Sequence, residues 1–236
     1  MLKVPPFLWE KQISKAKKKF EAENSFMSKE HGLVHHFVVR ELPYAGKPLS
    51  PECVANKLNL SISRVKVILD DLEKRMTFLF RNKEGEVVWA YPVTVDKTPH
   101  HLTVSTGEQL YAAWAADAFA APFVQGQLRQ ETLSVIVNTE CAHCSRPMEI
   151  RIDSDLNYTV KEEGCEPIIF VPDVNLFKLE DESIINAFWH ESVFFWSEEH
   201  AKEYRRKVHR IRGAYLTEKQ MVKGTKIIQS AIFGFK

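Results

Sequence analysis

Apolar positions along the first third of the chain recur at helical spacing and then switch to alternation. Phe7, Leu8, Ile13, Ala16 and Phe20 make one face of an amphipathic helix from about residue 7 to 23, ending near Asn24-Ser25. A second helix is expected from His31 to Leu42, with His35 and His36 at the edge of the core. Pro43 and the Gly46-Lys47-Pro48 loop stop it, because proline cannot continue a helix interior. Ser50-Pro51-Glu52 supplies a capping hydroxyl, a proline pre-set for the first helical position and an acid near the positive helix end. It opens a short helix from Pro51 to Leu58. Asn59-Leu60-Ser61 then turns into a longer helix, Ile62 to Met76, with Val65, Ile68, Leu69 and Leu72 on one face. Strands over 78–81 and 87–95 flank Asn82-Lys83-Glu84-Gly85, a good hairpin turn. Helix, turn, helix and hairpin together read as a winged helix.

The stretch from Leu110 to Gly126 reads as a compact, Ala-rich helix carrying a single acid, Asp117, and stopping at Pro122. Small side chains let neighbouring elements approach such a helix closely, and a carboxylate on it is costly to bury without a partner or a task. By periodicity alone, Asp117 faces solvent or caps a neighbouring loop. Downstream, the alternation of Thr132 to Asn138 and of Met148 to Ile152 predicts two strands around Thr139-Glu-Cys-Ala-His-Cys-Ser-Arg-Pro147. Further strands are expected at 158–161, 168–171 and 192–196. A helix is expected to begin at 183–188, a basic helix to run from 198 to 212, and a short terminal element to lie near 224–232. Helices first and a mixed sheet afterwards make the class α+β, divided into residues 1–95 and 96–236.

Thr98-Pro99-His100-His101-Leu102-Thr103-Val104, then Leu110-Tyr111-Ala112, Asp117 and Pro122-x-x-x-Gly126, resemble the signature of the alkylmercury (organomercurial) lyase family. Cys141 followed by Pro147, and Phe188 six residues before Phe194-Phe195-x-Ser197, resemble it too. The likeness extends over roughly residues 50 to 197, in order and spacing as well as composition. It implies an N-terminal helical, winged-helix-bearing part used as scaffold, followed by an organomercurial-lyase-like sheet domain. It also implies cleavage of carbon–mercury bonds by two cysteine thiolates and one aspartate, the thiolates taking the soft metal and the aspartate handling the proton. Asp117 matches that aspartate. The positions matching the cysteines hold Trp114, three residues before it, and Trp189, just after Phe188. Indole offers neither a thiolate nor a metal-binding lone pair. The resemblance therefore implies the fold without the standard chemistry.

Composition narrows the setting. With 236 residues, 44% hydrophobic and 27% charged, the chain is that of an ordinary globular protein. No apolar run approaches the roughly 18 to 20 residues of a membrane span. The first residues lack a secretory signal pattern, and four cysteines are too few for a disulfide scaffold, so a cytoplasmic protein with reduced thiols is expected. The net charge of +1 hides an asymmetry: residues 151–200 carry twelve acidic and three basic side chains, residues 201–236 ten basic and two acidic. These segments are expected either to pair within the fold or to offer a basic surface to nucleic acid. The second helix of the winged-helix unit carries Arg64, Lys66, Lys74 and Arg75 but also Asp70, Asp71 and Glu73. That balance favours scaffold over DNA binding.

Three sets of residues are candidates for chemistry. Cys141-Ala142-His143-Cys144 is a C-x-x-C knuckle between strands, able to give two ligands to zinc or another thiophilic metal. Cys165, His143 and His190 are possible completions. The same pair also fits inert buried thiols or a reversible disulfide. Trp114, Asp117 and Trp189 converge if the lyase-like fold holds. Two indoles then either plug the old cavity or wall a reshaped pocket for a flat apolar ligand or an organic cation. His190 lines the same pocket, although His190 and Glu191 point to opposite faces if that segment is extended. The expected function is ligand or metal binding in that pocket. The alternatives are a winged-helix regulator that senses a metal or thiol-reactive ligand, and an enzyme using Asp117 as general acid or base.

Overall fold

A computed structural model describes residues 6–75, 79–105, 107–172, 192–207 and 213–235. Helix α1 (Pro6–Glu23) runs into one 3-10 turn and is followed by α2 (Lys29–Ala45), α3 (Pro51–Leu58) and α4 (Ile62–Arg75). Ser50 caps α3 by accepting from the Cys53 amide at 3.2 Å, as its side chain predicts. Helix α2 does not stop at Pro43 but continues to Gly46, whose φ of 60° ends it. The reason is specific. Pro43 has no N–H for the Val39 carbonyl, and Gln125 Nε2 donates to that carbonyl instead, at 2.7 Å.

Strands β1 (Leu79–Arg81) and β2 (Val87–Ala90) form the expected hairpin. The Gly85 amide donates to the Asn82 carbonyl at 2.9 Å, and Gly85 takes φ 81°. The single strand expected over 87–95 is divided at Tyr91-Pro92, leaving β3 at Val93–Thr94. Next come β4 (His100–Val104), β5 (Gln109–Ala112) and α5 (Ala115–Arg129). Leu110, Tyr111 and Ala112 thus belong to a strand. The helix begins at Ala115 and passes through Pro122 to Gln130, whose φ of 58° ends it. Then follow β6 (Ser134–Glu140), β7 (Pro147–Asp153), β8 (Tyr158–Val160) and β9 (Ile168–Pro172). Beyond them lie β10 (Val193–Phe195), α6 (Glu198–Lys207), β11 (Gly213–Thr217) and α7 (Glu218–Phe233). The expected helix at 183–188 lies outside the described residues. The terminal element is a 16-residue helix capped by Thr217, preceded by a strand that the sequence pattern did not suggest.

An eight-stranded sheet runs β1-β2-β3-β5-β4-β6-β7-β8, and a three-stranded sheet runs β10-β9-β11. The sheet expected as mixed is antiparallel at every described strand pair. An isolated parallel bridge joins Cys141 to Phe194. The expected division after residue 95 falls within the larger sheet, between β3 and β4. Neighbouring α1 and α7 are tied by Asn24 Nδ2, which donates to the Ala231 and Ile232 carbonyls, and by Lys223 to Glu10 at 2.6 Å.

Two apolar cores meet at α5. Ala120, Phe123 and Val124 join the core of α2, α4, β1, β2 and α7, while Ala115, Ala118, Phe119 and Ala121 join that of the sheets. A helix buried on both sides needs small residues, which accounts for its alanines. Gly126 follows the same logic, since a Cβ there would lie 2.4 Å from that of Ser154. The Thr98-to-Val104 motif fastens strands: Thr98 Oγ1 donates to the Ala112 carbonyl at 2.6 Å, and buried His100 Nε2 to that of Ser192 at 3.0 Å.

Candidate functional site

Because α5 begins at Ala115, Trp114 becomes its N-cap in extended conformation, and Asp117 falls in the first turn. Such a position ordinarily favours a charged carboxylate through the helix dipole, by about 0.3–1 kcal/mol at exposed sites. Burial overrides this preference. Asp117 is 1% exposed, and neither carboxyl oxygen has a partner of hydrogen-bonding geometry among the described residues. Desolvation therefore holds its pKa well above the carboxylate range, although the Trp114 backbone amide pulls the other way. Burial thus favours the neutral form of Asp117 over the charged one.

Around it, Tyr91 joins from the β2–β3 link and Gln229 from α7. Both are buried, and Gln229 Nε2 donates to the Tyr91 hydroxyl. Burial first and the Asp117 charge second push the Tyr91 hydroxyl pKa up. Sequence reasoning missed both residues; neither belongs to a motif, and they meet only because β2 and α7 share a core. Trp114 is 7% exposed, with its ring centroid 5.9 Å from that of Trp89. Trp189 and His190, expected in the same pocket, lie outside the described residues. In α2, His35 is fully buried and stacked on Phe233 at 5.0 Å, where desolvation pushes its pKa down to about 3.

A second constellation forms where the β6–β7 turn meets α6. Cys141 is buried and Cys144 exposed, and both are free thiols. The sulfur of each lies 3.4 Å from Nδ1 of His200, in the first turn of α6. The three atoms all lie within 4.8 Å of one another. Cys165 stands outside this trio. Its thiol donates to the Trp196 carbonyl at 3.6 Å, and burial, with smaller contributions from Glu162 and Cys141, pushes it up to about 12. His143 points its Nε2 to Glu203 at 2.8 Å. His200 was not among the expected ligands, since 59 and 56 residues separate it from the two sulfurs and no local spacing announces it.

Three cations of the helix–turn–helix–hairpin unit are paired with acids. Arg64 pairs with Glu30 at 2.7 Å, Lys66 with Glu52 at 3.7 Å, and Arg81 with Asp70 and Glu73. No helix among the described residues is long and apolar enough to cross a membrane.

The family model described as alkylmercury lyase matches residues 93–229. The solved structure titled as the mercury-bound form of MerB2 superposes with a TM-score of 0.68 at 16% identity. It covers 93% of this chain and 99% of its own, a likeness of fold alone. None of the curated proteins matches.

Proposed function

This chain belongs to the alkylmercury lyase family, and we propose that it has left two-thiolate carbon–mercury cleavage behind and binds a small, flat, largely apolar molecule beside Asp117. The observation that carries this reading is Trp114, packed against Trp89 three residues before a buried acid. Two-thiolate cleavage requires sulfur beside the carboxyl that handles the proton, and an indole supplies none. Cys141 and Cys144 belong to the β6–β7 turn and face α6, whereas Asp117 belongs to the first turn of α5.

The burial of Asp117, which favours its neutral form, bears on the ligand class. A neutral carboxyl donates a hydrogen bond, so an apolar molecule with one acceptor suits it better than a cation, which would require the charged form. The same state supports a second reading, an enzyme of altered chemistry with Asp117 as general acid. The helix–turn–helix–hairpin unit is read as a winged-helix scaffold, because Glu30 and Glu52 pair with Arg64 and Lys66, two of the cations that would meet phosphates.

Mercury binding alone is a poor test, since exposed Cys144 takes soft metals wherever Asp117 lies. Bond cleavage is the better one. With phenylmercury and excess small thiol, the purified protein is expected to release no benzene above the protein-free background. Release that disappears in Asp117→Asn would overturn the reading. The Trp114→Cys, Trp189→Cys double variant is expected to gain cleavage.

A further inference from the structure

The cluster between the β6–β7 turn and α6 plays no part in the reading above. We propose that Cys141 Sγ, Cys144 Sγ and His200 Nδ1 bind one thiophilic divalent cation, zinc by their chemistry, with the fourth coordination position open to solvent.

The geometry supports a shared cation. Tetrahedral zinc with Zn–S of about 2.3 Å and Zn–N of about 2.0–2.1 Å sets sulfur and nitrogen roughly 3.5 Å apart. Both sulfurs lie 3.4 Å from Nδ1 of His200. Two thiolates and an imidazole in a tetrahedral set select zinc over harder cations, which prefer oxygen. A disulfide between Cys141 and Cys144 would leave the imidazole, equidistant from both sulfurs, without a role.

The turn is also built in advance. The Cys141 amide donates to the Arg146 carbonyl at 2.9 Å, the Ser145 amide to the Cys141 carbonyl at 2.8 Å, and Ser145 takes φ 56°. The Ala142 amide donates to the Phe194 carbonyl at 2.9 Å, so the turn already meets β10, just ahead of α6. Outside the trio, Glu203 holds His143, whose ring lies 5.2 Å from that of His200. Exposure of Cys144 gives the cation an entry path and leaves its fourth position to water or a small exogenous ligand.

The experiment is a titration of the reduced, full-length chain with cobalt(II), followed by zinc displacement. One equivalent is expected to produce thiolate-to-cobalt charge-transfer absorption that zinc removes. Cys144→Ser and His200→Ala are each expected to weaken binding by more than about tenfold, a loss that even outer partners of metal ligands can cause. Cys165→Ser is expected to leave it unchanged. Absence of the band at one equivalent, or unaltered affinity in His200→Ala, would overturn the proposal. So would loss of the site in Cys165→Ser. Circular dichroism of each variant separates loss of ligand from loss of fold. The outcome is independent of benzene release at Asp117, so either reading can fail alone.

Discussion

The surroundings of Asp117 and of Cys144 hold opposite halves of one chemistry. At the start of α5 there is a buried acid whose neutral form burial favours, beside Trp114 and Tyr91. At the β6–β7 turn there are two thiols and an imidazole. The two sets share no residue. On the two proposals, proton handling would belong to the interior, where desolvation makes a carboxyl basic, and metal capture to the surface, where a ligand can enter. The difference teaches that the two are separable within one fold. It also implies different tolerance to change: substitutions at the first site act on a core as well as on the proposed ligand, and substitutions at the second act on a bound cation alone.

The largest test of that contrast is Trp114→Ala. Trp114 belongs to the core containing Val39, Trp89 and Phe123. Truncating a buried tryptophan costs about 3–5 kcal/mol. Urea unfolding is expected to show a loss in that range. A loss under about 1 kcal/mol would mean that the indole lines open space instead of filling the core.

Much of this contrast was legible in the sequence, and its failures share a physical cause. Asp117 stood out as the only acid in an Ala-rich stretch, and the helix–turn–helix–hairpin order followed from caps and turn residues such as Ser50 and Gly85. The helix start was misplaced because Leu110, Tyr111 and Ala112 continue its apolar run, whereas pairing with β3 and β4 makes them a strand. Proline was read as a stop at Pro43 because its local cost is visible in sequence, and the Gln125 side chain that takes the freed carbonyl, 86 residues away, is not. His200 was missed for the same reason. A ligand pair within four residues is a spacing, whereas its third member is a consequence of topology.

Asp117→Asn is expected to have a smaller effect, and of opposite sign. The folded pKa is raised above the unfolded value near 3.8. The unfolded chain therefore releases its proton as pH rises past that value, while the folded chain retains it. Stability contributed by Asp117 is present in full below about pH 3.8 and declines as pH rises through the folded pKa. Asparagine keeps the shape without the ionisation. The variant is expected to be more stable than the parent near neutral pH, with the gain shrinking as pH falls toward 4. Denaturant midpoints measured across that window check it. A gain independent of pH, or a loss, would mean that Asp117 is already ionised in the folded protein.

Cys144→Ser is expected to change least in the metal-free protein and so sharpens the comparison most. Its side chain is exposed, and surface replacements away from special features usually fall within about ±0.5 kcal/mol. Zinc separates the two proteins. A ligand that binds only the folded state stabilises it by about 2.7 kcal/mol at a hundredfold excess over its dissociation constant. The parent is expected to gain that amount in urea unfolding, and the variant, at the same zinc concentration, a small fraction of it. Equal gains would place the cation away from Cys144. Equal destabilisation without zinc would make the thiol part of the packing, and the contrast between a buried acid and an accessible metal site would no longer hold.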